Sequence, residues 1–257
     1  MSAPASRGDV GIVGFGRCGA LAARLLAPGR EVLVTDVRDR SREAAEVGVR
    51  WGDLQAAAGR GTVLLAVPIR ELAHALQAIA PHLAPGALVV DLASVKVRPM
   101  EWMAEHLPPA VRRVGTHPLF GPDSARDGGV EGRRIVICAA PGHEAAAAEI
   151  EEAARALGLV PLRATAEEHD RAMARSQALV FLLSHALTRA GIEPAAFGTP
   201  SEEHLAAAMR LVGRDSEELY EDILRLNPFA QGIATRLEIS LHAEVDRLGG
   251  AETQGPS

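Results

Sequence analysis

The residues best suited to chemistry stand in Gly115-Thr116-His117-Pro118-Leu119-Phe120-Gly121-Pro122-Asp123-Ser124. His117 is the side chain that most readily exchanges a proton near neutral pH. Pro118 disfavours a helical backbone at His117, so the imidazole's direction is partly fixed locally. An apolar run, Val111 to Val114, reads as a strand, and the prolines and glycines after it read as a rigid loop. Open α/β sheets hold ligands at the carboxyl ends of their strands. Taken alone, His117 reads equally well as a residue plugging a turn, so its neighbours decide.

Ser94, in Asp91-Leu92-Ala93-Ser94-Val95-Lys96, is placed at the end of another apolar run. Its hydroxyl could orient His117 or bond a substrate hydroxyl; the plainer reading is a helix N-cap. Lys96, the only lysine in the chain, reads as a surface or cap-region cation. Arg210 sits among Ala207, Ala208, Met209, Leu211 and Val212, where an unpaired guanidinium would be costly. It is expected either to pair with an acid or to meet a ligand carboxylate in bidentate fashion. Arg214, between Gly213 and Asp215, reads as a solvated helix-end charge, with a carboxylate clamp as its alternative role. His169, beside Glu168 and Asp170 in a first helical turn, reads as structural.

The elements that must position these residues begin with Val10 to Gly14, a buried strand. It runs into Gly14-Phe15-Gly16-Arg17-Cys18-Gly19, a G-x-G-x-x-G turn opening an apolar helix. Gly14 permits the tight turn, Gly16 lets backbone approach a pyrophosphate, and Gly19 lets helix pack on strand. The N–H groups at that helix start would hold phosphates. A second strand, Glu31 to Asp36, ends in a carboxylate suited to both ribose hydroxyls of adenosine. This favours NAD, while Arg38 and Arg40 keep NADP open. Strands at 62–68, 87–91 and 111–116 alternate with helices, and Val67 and Pro68 join the expected cofactor edge. Further strands at 133–139 and 159–163 extend the sheet. A capping box, Thr165 to Glu168, opens a long helix reaching Arg189, and only helices read beyond it. The fold class is therefore α/β: a Rossmann-type doubly wound, mostly parallel sheet (1–164), then an all-helical domain (165–257), to which the resemblance given below assigns dimerisation and substrate binding.

Composition excludes several partners. The 257 residues are 47% hydrophobic and carry a net charge of -6, with no basic stripe for nucleic acid. Two cysteines, Cys18 and Cys138, make neither a disulfide framework nor a zinc site, and no metal is expected. No apolar run is long enough for a membrane span, and the N-terminal residues lack an apolar leader core; the cytoplasm is the expected address. The residues from Gly249 onward read as a disordered tail.

Together these residues resemble the prephenate/arogenate (cyclohexadienyl) dehydrogenases of tyrosine biosynthesis. The resemblance rests on the glycine turn, Asp91 to Lys96, the Thr116 to Ser124 stretch, Glu168-His169-Asp170, and Arg210 followed by Leu219-Tyr220-Glu221-Asp222-Ile223. It implies NAD(P)-dependent oxidative decarboxylation of a cyclohexadienyl substrate. His117 would be catalytic, Ser94 its hydroxyl partner and Arg210 the carboxylate-binding residue. Thr116 and Arg214 would lie on the substrate side, and the helical domain would form an intertwined homodimer. Phe181 stands where many members carry a substrate-side histidine, with His185 one helical turn further on. A phenyl ring cannot hydrogen-bond, so arogenate and 4-amino-4-deoxyprephenate stand beside prephenate as candidate substrates. No ACT-like regulatory domain or fused chorismate mutase is expected, and any tyrosine feedback is then expected to act at the active site. Two other readings share this architecture: a hydroxyacid dehydrogenase or imine reductase, and a non-catalytic NAD-sensing dimer. The absence of any lysine after residue 96 weighs against mechanisms that need one on the helical domain.

Overall fold

A computed structural model of the chain describes residues 8–126, 129–192 and 197–249. The chain divides into two compact units, Met1–His169 and Asp170–Ser257, so the division falls within a helix rather than at 164/165.

The first unit is built on β1 (Val10–Val13), α1 (Arg17–Leu26), β2 (Val32–Thr35), α2 (Ser41–Val47), β3 (Arg50–Trp51), α3 (Leu54–Ala58) and β4 (Thr62–Leu65). It continues through α4 (Leu72–Ile79), β5 (Leu88–Asp91), α5 (Val97–His106), β6 (Arg112–Pro118), α6 (Pro122–Arg126), β7 (Arg134–Ala139), α7 (Glu144–Ala156) and β8 (Val160–Arg163). The eight strands form one sheet in the order β3-β2-β1-β4-β5-β6-β7-β8. All neighbours pair in parallel except β6 with β7.

Strands β1, β2 and β5 are buried along their whole length, because helices cover both faces; their sequences are accordingly continuous apolar runs rather than alternating ones. Val63, Leu65 and Val89 pack with Leu72, Leu76, Ile79 and Met103 on one side. Val10, Ile12 and Val34 pack with Ala23 and Ala44 on the other, where Val90, Val114 and Ile137 meet Ala146 and Ala147. Small side chains allow close approach. A Cβ at Gly11 would lie 1.9 Å from the Ala57 carbonyl oxygen, so α3 could not seat on β1 with any larger residue there.

The helix opening at α8 (Ala166–Met173) passes through a π turn, Ala174–Ala178, and continues as α9 (Leu179–Arg189). Its start is a reciprocal capping box: Glu168 N–H donates to Thr165 Oγ1 at 3.1 Å, and Thr165 N–H to Glu168 Oε2 at 2.8 Å. The second unit adds α10 (Pro200–Val212), α11 (Glu217–Leu226) and α12 (Ala230–Gly249). Thr199 and Ser216 cap α10 and α11 through their hydroxyls. Apart from Gly249, which closes α12, the expected disordered tail lies outside the described residues. Among the described residues, no helix is long and apolar enough to cross a membrane.

Candidate active site

Strands β1, β4, β5 and β6 run parallel, so their carboxyl ends share one edge of the sheet. The glycine turn occupies the β1 end. Gly14 has φ +94, and a Cβ there would sit 2.6 Å from the Ala66 carbonyl oxygen and 2.9 Å from Val67 N. Only glycine lets the turn lie against the β4 end, where Val67 and Pro68 follow. A Cβ at Gly19 would meet the Gly14 carbonyl oxygen at 2.1 Å, which fixes how α1 leaves the turn. Gly16, the N-cap of α1, has no side chain to cap the helix start, and a Cβ there would meet nothing within 4 Å. That is the geometry of a phosphate cradle.

Phe15 is buried, whereas Arg17 and Cys18 are exposed at the helix start. Asp36, one residue past β2, accepts the Phe15 N–H at 2.6 Å through Oδ2 and the Arg38 N–H at 3.0 Å through Oδ1. A carboxylate offers about four lone-pair positions, so these bonds leave capacity for ribose hydroxyls and hold the group against the turn. The residues fit a dinucleotide. Replacing Gly16 with Ala is expected to leave stability within about 0.5 kcal/mol of wild type and to weaken NAD binding about tenfold by crowding the cradle. Thermal melts and fluorescence titration with NAD check both.

His117 is not in a loop. It is the penultimate residue of β6, paired with Val136, because β7 runs back antiparallel and draws the strand out to Pro118. Pro118 is tolerated there, at the strand's last residue. The short helix α6 that follows holds Asp123, which forms an ion pair with Arg17 of α1. The sequence stretch around His117 and the glycine turn are thereby tied together.

Beneath His117 lies a buried charged cluster. Lys96, read from sequence as a surface or cap-region cation, has no exposed surface. It occupies the N-cap position of α5, but its chain turns inward. Nζ donates to Asp91 Oδ1 and, at 2.7 Å, to the Thr116 carbonyl oxygen. Asp91 Oδ1 also accepts the Ala93 N–H at 2.9 Å, whereas Oδ2 is buried with no hydrogen-bond partner among the described residues. Burial pushes the Asp91 carboxyl above the usual carboxylate range, against the opposing pull of Lys96, the Ala93 N–H and His169. A Cβ at Gly115 would strike Met100 Sδ at 2.7 Å and approach Asp91 Oδ2 at 3.2 Å, so the cluster needs glycine beside it.

Thr116, expected on the substrate side, has its hydroxyl engaged by the backbone in this structure. Thr116 is buried and its hydroxyl donates to the Asp91 carbonyl oxygen at 2.7 Å, so it braces β6 against β5. Ser94 stands half-buried between β5 and α5, two residues before the Lys96 cap position, and is not the N-cap.

His117 is buried, and its Nδ1 lies 2.8 Å from Nε2 of His169, itself buried in the first turn of α8. The rings meet edge-on, 74° apart. Burial first, then the nearby His169 and Lys96, hold the His117 imidazole well below its ordinary value of 6.5. A neutral imidazole at neutral pH can accept a proton.

The second unit carries the remaining candidates. Arg210 lies on α10 and is exposed, not enclosed by the apolar residues beside it in sequence. The helix buries Ala206 and Val212 and turns Leu211 outward, so the desolvation argument for Arg210 fails. Arg214 is also exposed, beyond the Gly213 cap. Phe181 is buried in α9, while His185 stacks on Tyr220 at 3.9 Å with Nδ1 3.4 Å from Glu217 Oε2. Those contacts commit His185 to a structural set of partners. Sequence reasoning missed Lys96 and His169 as parts of the His117 cluster. The usable signal was a lone lysine five residues after a strand-end aspartate.

The sheet order and the glycine turn, with Asp36 held against it at the end of β2, define a Rossmann-type dinucleotide-binding unit followed by a helical one. More particularly, a family profile described as "Prephenate dehydrogenase, nucleotide-binding domain" matches residues 20–162, more than half of the chain, and the chain belongs to that family. It is 28% identical over 221 residues to a probable arogenate/prephenate dehydrogenase of Methanocaldococcus jannaschii, covering 78% of this chain and 47% of that protein. It is likewise 28% identical over 239 residues to the 4-amino-4-deoxyprephenate dehydrogenase of Streptomyces pristinaespiralis, covering 89% of this chain and 73% of the relative. The chain spans 47% of the archaeal relative and 40% of arogenate dehydrogenase 1 of Arabidopsis thaliana. Among solved structures, the prephenate dehydrogenase of A. aeolicus, in complex with hydroxyphenyl propionate and NAD+, shares the fold with a TM-score of 0.75. Its identity is 18%, with 96% of this chain and 92% of that one covered.

Proposed function

We propose that the chain is an NAD-dependent dehydrogenase that oxidatively decarboxylates prephenate or a close cyclohexadienyl analogue. The observation that carries this reading is the buried His117, its imidazole held below its ordinary value by burial, at the sheet edge that also holds the glycine turn. The nicotinamide, when bound, accepts the hydride from ring C4. His117 takes the proton from the C4 substituent, and Ser94 orients that substituent. The bond from the ring to its carboxylate then breaks, CO₂ leaves, and the electron pair moves through the ring to the C4 oxygen or nitrogen, which takes the proton back from His117 as the ring becomes aromatic. Arg210, with Arg214 as the alternative, binds a substrate carboxylate, which a protein of net charge -6 must meet with placed cations. The helical unit serves as a homodimer interface. Exposed Ile239, Leu241, Val245 and Leu248 along α12 support this, since such apolar surface favours a partner.

A 4-amino substrate is the second reading. Phe181 favours it, because a buried phenyl ring offers no hydrogen bond to a hydroxyl or carboxylate. The test is formation of reduced nicotinamide with NAD and, in turn, prephenate, arogenate and 4-amino-4-deoxyprephenate. Turnover of one establishes the reaction. A preference for prephenate of about a hundredfold in kcat/KM over both others overturns the second reading. Silence with all three despite NAD binding overturns the function. On the active substrate, Arg210→Ala is expected to raise KM about thirtyfold or more, the loss of about 2–5 kcal/mol. An unchanged KM moves the clamp to Arg214.

A further inference from the structure

We propose that His169 is a positioning residue for the reaction, accepting the Nδ1 proton of His117 and so holding that ring with its Nε2 lone pair available. The proposal rests on the catalytic role given above to His117.

Two ring nitrogens 2.8 Å apart need one proton between them. With none they repel as two lone pairs, and with two the protons collide. Two arrangements satisfy this. In one, His117 donates from Nδ1 to His169 Nε2, and its own Nε2 is a base. In the other, His169 donates, His117 carries its proton on Nε2, and it cannot accept a proton from a substrate there. An imidazole in water favours the Nε2–H form, so the catalytic tautomer is the one that must be imposed from outside.

The surroundings support the first arrangement. Asp91 and Lys96, from β5 and the loop after it, act on the pair electrostatically; buried Asp170 follows His169 in α8, and Cys138 of β7 lies on the same face of the sheet as His117. Burial and the Lys96 ammonium disfavour a resting charge on His117. The Asp91 carboxylate interacts favourably with positive charge at His169. When His117 Nε2 takes the substrate proton, the pair gains one positive charge. The Nδ1–H bond to His169 strengthens, and that charge is drawn toward Asp91. A neutral histidine therefore does the orienting work that a carboxylate does in other dyads.

The experiment compares His169→Leu and His169→Gln with the wild-type protein. Glutamine places a side-chain amide oxygen near the Nε2 position and keeps an acceptor, whereas leucine removes it. Long-range ¹H–¹⁵N spectra of the labelled protein report the His117 tautomer without any substrate. Wild type and His169→Gln are expected to show His117 protonated on Nδ1, and His169→Leu on Nε2. On the active substrate, kcat of His169→Leu should fall about a hundredfold, with KM and NAD affinity within about threefold of wild type and partial recovery in His169→Gln. Wild-type His117 protonated on Nε2, or His169→Leu with a wild-type kcat, overturns the proposal. If the wild type turns over no substrate, the reaction reading fails while the tautomer spectrum still decides the pairing.

Discussion

Replacing His117 with Asn is expected to lower kcat by about 10²- to 10⁴-fold and to leave the affinity for NAD unchanged. Asparagine places an amide N–H close to where Nδ1 stands, so the bond to His169 can persist and β6 can keep its pairing with β7. What is lost is Nε2, the atom with the lone pair. Stopped turnover with intact NAD binding therefore isolates the proton transfer from the fold. A non-catalytic NAD sensor would be indifferent to the change, and a kcat within tenfold of wild type would remove His117 from the mechanism. The same substitution has a pH signature. Because the folded His117 value lies below 6.5, the unfolded chain binds the extra proton more readily. The stability tied to neutral His117 is thus complete above 6.5 and is lost as the pH falls through the folded value. Melting temperatures of the wild type should drop as the pH falls below 6.5, and His117→Asn should flatten that slope.

The features legible in the sequence are those with local causes. The glycine turn announces itself because Gly14, Gly16 and Gly19 each answer a backbone demand that the neighbouring residues set. The Thr165–Glu168 box is written in four consecutive residues and forms as read. The parallel strands declare themselves by continuous apolar runs. What escaped depends on residues far apart in sequence. Nothing near His117 says that β7 returns antiparallel and converts its loop into strand. Lys96 looks like a cap-region cation until Asp91 and the Thr116 carbonyl are brought around its ammonium. The burial expected of Arg210 failed for the opposite reason: an apolar window in sequence is a helix that buries Ala206 and Val212 and leaves Arg210 exposed. The short elements α2, β3 and α3 lay in a stretch whose apolar pattern is too brief to separate helix from strand.

The Lys96–Asp91 pair makes the second large prediction. Lys96→Met keeps the length and apolar body of the side chain but removes the ammonium. Asp91 is then left as a buried carboxylate held only by the Ala93 N–H. Removing one partner of a buried pair costs about 3–5 kcal/mol, which corresponds to a fall of about 10 °C in melting temperature for a protein of this size. The sign of its pH dependence separates this cause from simple misfit. A carboxyl whose folded value is raised binds its proton more tightly folded than unfolded, so stability falls as the pH rises through the interval above 3.8. Without Lys96 that interval stretches upward, and the variant should lose more stability at alkaline than at mildly acidic pH. Adding Asp91→Asn removes the stranded charge while its amide oxygen still accepts the Ala93 N–H. The double variant should therefore melt closer to wild type than Lys96→Met alone. Activity need not follow stability back, because the ammonium that bonded the Thr116 carbonyl, one residue before His117, is still missing. A Lys96→Met protein that melts within about 2 °C of wild type would mean that the pair contributes nothing net to the fold.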